Sequence, residues 1–100
     1  MNMTNLMKQA QKMQKQMEKK QEELMLKTID VSSGGGAIKI VITGKKEIKE
    51  IKIDPEVVDP DDIEGLEDLV LSAVNEAIRQ AEDVYTHEMS KISGGVNLPF

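Results

Sequence analysis

From Asn2 to about Leu26 the chain contains neither glycine nor proline and is built largely from Met, Gln, Lys, Glu and Leu, residues that cost little to place in a helix. A long opening helix over residues 1–26 follows. Leu6, Met7, Ala10, Met13, Met17 and Leu24 recur at the three-four alternation that keeps one stripe in register along a helix, with Gln14, Lys20 and Gln21 interrupting it. A chain of 100 residues buries only roughly 60 to 65% of its unfolded surface, so its own core is too small to cover such a stripe. Part of the stripe is therefore expected to pack against a second subunit. Methionine adapts its shape, which leaves the partner surface variable.

Behind the helix come three runs that read as strands, Met25 to Ser32, Ala37 to Thr43 and Glu47 to Ile53. Ser33-Gly34-Gly35-Gly36 and Gly44-Lys45-Lys46 separate them, and breaks this short suit antiparallel hairpins, giving a meander. Ile38, Ile40 and Ile42 alternate strictly with their neighbours, whereas Ile48, Ile51 and Ile53 skip the two-residue period once. That skip implies a bulge near Lys49 or Glu50. Only one face of the sheet is strongly apolar, so a helix should cover that face and leave Lys39, Lys49 and Lys52 near solvent.

Asp54-Pro55 ends the sheet, and Asp59-Pro60-Asp61-Asp62 supplies a cap, a first-turn proline and negative charge suited to a helix start. The second helix is read over residues 60–92. Its stripe is Ile63, Leu66, Val70, Ala73, Ala77, Ala81 and Val84, and its three alanines spaced four apart imply close packing, on the isoleucine face of the sheet or on its counterpart in a second subunit. Ser93-Gly94-Gly95 ends it and residues 93–100 read as a mobile tail. The expected fold is α+β in the order α-β-β-β-α, as one domain over residues 1–100.

The chain has no cysteine, which excludes a disulfide framework and a thiolate nucleophile and fits a cytoplasmic setting. Its apolar runs are far short of the roughly 20 residues that span a bilayer, so no membrane association is expected. The formal net charge of -5 is unevenly spread: residues 1–53 carry eleven basic and six acidic groups, residues 54–100 two and twelve. A local field depends on which face carries which charge, so an acidic total leaves an anionic partner possible.

Four segments in order, "NLMKQAQKMQKQM", "SGGGAIKIVITGKKEIKEIKIDP", "LEDLVLSAVNEAIRQAE" and "ISGGVNLPF", resemble the YbaB/EbfC family of bacterial nucleoid-associated proteins. The resemblance covers nearly the whole chain. It implies a homodimer with helices projecting like tweezers, located at the nucleoid, that binds double-stranded DNA, alters its conformation and serves nucleoid organisation or gene regulation.

Lys8, Lys12, Lys15 and Lys19 are spaced four, three and four apart and share a helix face roughly 180° from the methionine stripe. From the residues alone this array reads first as a solvated polar face; the resemblance turns it into a candidate phosphate-contacting row, which needs no base readout. Lys45 and Lys46 stand at a hairpin tip where phosphate could also reach them. The candidate dimer and core stripe is Leu6, Met13 and Met17 with Leu66, Val70, Ala73 and Ala77. A protein-protein adaptor using the methionine stripe and the acidic second helix is the alternative.

No catalytic residue is identified, because no carboxylate among Asp59, Asp61, Asp62, Asp68, Asp83 and Glu88 has an evident base, nucleophile or apolar pocket to tune it. Neither a small-molecule substrate nor a cofactor is expected. Gly34-Gly35-Gly36 lacks the pattern and following helix of a phosphate-binding loop, and His87 with Asp83 falls short of a metal ligand set. One Tyr, one Phe and no Trp give no stacking platform for single strands.

Overall fold

A computed structural model describes residues 2–92. Helix α1 spans Met3–Leu26, strands β1, β2 and β3 span Thr28–Ser33, Ile38–Thr43 and Ile48–Ile53, and helix α2 spans Ile63–Ile92 after a 3-10 turn at Pro55–Val57. The three strands form one antiparallel sheet in the order β1-β2-β3, the meander that short glycine-containing breaks favour. The expected mobile tail, residues 93–100, lies outside the described residues.

Two boundaries differ from the sequence reading by three residues, and the other strand ends by at most one. Met25 and Leu26 end α1 rather than begin β1, because the helix closes on Lys27, whose N–H donates to the Glu23 carbonyl at 3.0 Å. Extended backbone starts only at the β-branched pair Thr28-Ile29. At the other end, α2 begins at Ile63 and not at residue 60. Asp62 caps it by accepting from the Gly65 N–H at 3.1 Å, while Asp59 accepts from Asp61 N–H at 2.9 Å in a separate turn, the local competition that Asp side chains offer to helix.

The register places Ile29 and Val31 of β1, Ile38, Ile40 and Ile42 of β2, and Ile48, Ile51 and Ile53 of β3 on one face. Between Val41, paired with Glu50, and Ile42, paired with Ile48, Lys49 has no partner, so one bulged residue restores the isoleucines to the common face. Helix α2 lies over β1 and β2. Ala73, Ala77 and Ala81 are fully buried against Val31, Ile38, Ile40 and Ile42, because side chains this small let the helix axis approach the sheet. Leu66, Leu69, Val70, Val74 and Ile78 flank them, half-buried. Ile63, placed in the stripe by its spacing, is 46% exposed, since it stands at the first turn, beyond the sheet's reach.

Both hairpins need left-handed backbone. Gly34, Gly35 and Gly36 have φ of 63, 68 and 93°, a region open to glycine at no steric cost. A side chain on Gly34 would also meet Leu69 at 3.1 Å. At the β2–β3 tip the buried Thr43 hydroxyl accepts from the N–H groups of Lys45 and Glu47 at 3.3 and 3.0 Å.

Candidate nucleic-acid interface

Among the described residues, the contacts that fasten helix α1 to the body lie near its C-terminal end. Leu24 is 1% exposed, and its carbonyl accepts from the Gly44 N–H at 2.9 Å. Gly44 is there by necessity, since a Cβ would fall 2.9 Å from that carbonyl oxygen and 3.0 Å from the Leu24 Cβ. One turn earlier, Gln21 donates to the Tyr85 hydroxyl of α2 at 3.2 Å. Beyond that clasp, every residue from Met3 to Lys19 is exposed except the half-buried Met13. At 1.5 Å per residue this free arm is about 25 Å long, which accounts for a chain measuring 70 × 24 × 16 Å.

Lys8, Lys12, Lys15 and Lys19 all lie exposed on this arm. Lys8, Gln11, Lys12 and Lys15 line one shallow depression. Among the described residues, none of the four lysines has a carboxylate oxygen within 4.0 Å, whereas Lys20, Lys27, Lys46, Lys49, Lys52, Arg79 and Lys91 each do. The reason is positional. The acidic groups of α2 reach α1 only where the helices meet, and the arm carries its lysines away from them. Their charge is left to solvent or to an incoming anion.

The hairpin tip is arranged differently. Lys46 has φ of 68°, and its ammonium meets Glu82 of α2 at 2.9 Å. Lys45 places its ammonium 5.4 Å from the centre of the Tyr85 ring. Both cations are thus already engaged by α2, so the tip offers phosphate less unspent charge than the arm does. Lys39, Lys49 and Lys52 are exposed beside the sheet, Lys49 and Lys52 paired with Glu47 and Glu50 at 3.1 and 3.4 Å.

The apolar stripe is uncovered along the arm: Leu6 is 43% and Met17 36% exposed. A second uncovered surface was not anticipated from the sequence. Because α2 covers only β1 and β2, Ile51 and Ile53 are 43% and 39% exposed, and Val58 and Leu71 are 45% and 61% exposed. Periodicity places these isoleucines on the apolar face, but no local signal says which strands a helix will cover. Among the described residues no group of three His, Cys, Asp or Glu side chains could hold a metal, and no helix is long and apolar enough to cross a membrane.

The sequence model of the YbaB/EbfC DNA-binding family matches residues 1–96. A nucleoid-associated protein of Ruminiclostridium cellulolyticum is 72% identical, over 95% of this chain and 83% of that protein. One from Acetivibrio thermocellus is 62% identical over 95% and 84%. Among solved structures, the uncharacterized protein HP0035 from Helicobacter pylori superimposes with a TM-score of 0.74 at 22% identity, covering 87% of this chain and 91% of that one. This last likeness concerns the fold.

Proposed function

Because the chain belongs to the YbaB/EbfC DNA-binding family, we propose that it works as a homodimer whose projecting α1 arms hold double-stranded DNA at the nucleoid through phosphate contacts, and so change its path. DNA binding is the property of the family, and its relatives are nucleoid-associated proteins. The observation that carries the phosphate-contact reading is the row Lys8, Lys12, Lys15 and Lys19, four exposed cations on the arm, none with a carboxylate oxygen within 4.0 Å among the described residues. A row of this kind neutralises backbone charge without reading base edges.

Dimerisation is supported by the two uncovered apolar surfaces. Ile51 and Ile53 continue the core face past the edge of α2 with Leu71 and Val58 also exposed, and a second copy could cover this surface as α2 covers β1 and β2. Self-pairing of identical surfaces gives a closed two-fold assembly.

The test is an anisotropy titration of the purified protein against random and AT-rich duplexes at two salt concentrations. Comparable affinity for both duplexes, falling steeply with salt, supports the reading. Absent or salt-independent binding overturns it and favours the adaptor role, in which the methionine stripe engages a protein.

A further inference from the structure

Glu88 occupies an unusual position. Three ammonium groups converge on its carboxylate, Lys20 at 3.5 Å, Lys27 at 3.8 Å and Lys91 at 3.5 Å, and its side chain is only 15% exposed. Lys20 and Lys27 belong to α1 and to its C-cap, so one carboxylate of α2 grips the first helix on both sides of the buried Leu24. Tyr85, one turn earlier on α2, takes the Gln21 amide. No other side-chain hydrogen bond or ion pair among the described residues joins the two helices.

We propose that Glu88, assisted by Tyr85, is a positioning residue for DNA binding: it fixes the angle at which the lysine arm leaves the body without itself touching DNA. This rests on the arm being the DNA-binding element. The physical reason is leverage. Lys8 lies about 18 Å along the helix from Lys20, so a tilt of about 10° at the clasp displaces it by about 3 Å. An ion pair holds only while N and O lie within about 4 Å, so a displacement of this size takes the outer lysines out of contact with the phosphates they would otherwise meet. Leu24 and Gly44 hold the hinge, but a single buried side chain leaves rotation about itself. The flanking attachments at Lys20, Gln21 and Lys27 remove that freedom.

The proposal reverses the sign that charge alone predicts. Glu88→Gln removes a negative charge from an acidic protein, and simple electrostatics makes DNA binding tighter. The clasp makes it weaker, by about fivefold or more, as expected when a binding row loses its support. Asp68→Asn removes the same charge from an exposed site on α2 away from the clasp and serves as the control, with binding unchanged or slightly tighter.

Arm geometry is read separately. The chain has no cysteine, so spin labels can be placed at Gln9→Cys and Asn75→Cys, with labelled chains diluted into unlabelled protein so that each assembly carries one pair. The parent should give one narrow distance, and Glu88→Gln and Tyr85→Phe distributions broader by about 3 Å or more, with helix content by circular dichroism unchanged. Weaker DNA binding together with a broadened distance supports the inference. Equal or tighter binding by Glu88→Gln, or weaker binding with an unchanged distance, overturns it. A parent that binds no DNA refutes the proposed function instead, and the label distances alone then decide whether Glu88 holds the arm.

Discussion

At Ala73 a single methyl decides how closely α2 approaches the sheet. The residue is 1% exposed in the cluster that also holds Ile38 and Ile40, so Ala73→Leu should cost about 1 to 3 kcal/mol by forcing the helix outward. Urea unfolding with an unchanged midpoint would refute the packing. Lys46 presents the opposite case. A non-glycine residue at φ of 68° carries a cost of about 1 kcal/mol, while its pairing with Glu82 is exposed on both sides and offsets roughly 0 to 1 kcal/mol. Lys46→Gly is therefore expected to leave thermal stability unchanged or raise it slightly. A fall of several degrees in Tm would mean that the Glu82 contact is stronger than its exposure allows.

Helix α1 behaves as two elements joined end to end, a docked turn around Leu24 and a free arm. Met13→Glu or Met17→Glu places a charge on the stripe opposite the lysines, which leaves the docked turn intact but opposes any apolar covering of the arm. Sedimentation should show a weakened dimer in either variant. The clasp itself has a pH dependence of known sign. Burial pulls the Glu88 carboxyl upward, but Lys91 and Lys20 outweigh it and hold it below its ordinary value of 4.5. A lowered folded value means that the contribution is complete above that pH and lost as pH falls through the folded value, so arm geometry should be constant from about pH 8 to 5.

Much of this architecture was legible in the sequence because it is local. The absence of Gly and Pro before Leu26, the strict alternation at Ile38, Ile40 and Ile42, and the skipped period later filled by Lys49 are each written in adjacent residues. The lysine row was legible for the same reason, as spacing on one helix. What was not legible is tertiary. That α2 leaves Ile51 and Ile53 uncovered, that Glu82 and Tyr85 already engage Lys46 and Lys45, and that Glu88 reaches across to Lys20 all depend on where one element lands on another. Gln21 and Tyr85 meet at a separation of 64 residues, and no period records that.

For the whole molecule, the segregation of charge matters more than its sum. A protein of net charge -5 can hold DNA only if its carboxylates stay away from the duplex, and the arm projects its four lysines beyond the acidic α2. In a homodimer eight ammonium groups would be available. Full engagement would give a log-log salt slope of about -7, and the exposed arm ends with Glu18, Glu22 and Glu23 nearby make about half that the better expectation. Lys12→Ala removes one charge from each arm, so it should flatten the slope by up to about 2 and weaken random and AT-rich duplexes alike, because phosphates carry no sequence. Glu76→Ala is the counterpart on α2. Its carboxylate accepts from Arg79 and Gln80, more than two helical turns before the clasp at Tyr85 and Glu88, and binding should be unchanged or slightly tighter. If Lys12→Ala and Lys15→Ala bind as the parent does while Lys45→Ala and Lys46→Ala do not, the hairpin tip makes the contacts after releasing Glu82 and Tyr85. The duplex would then lie against the body of the molecule instead of between its arms.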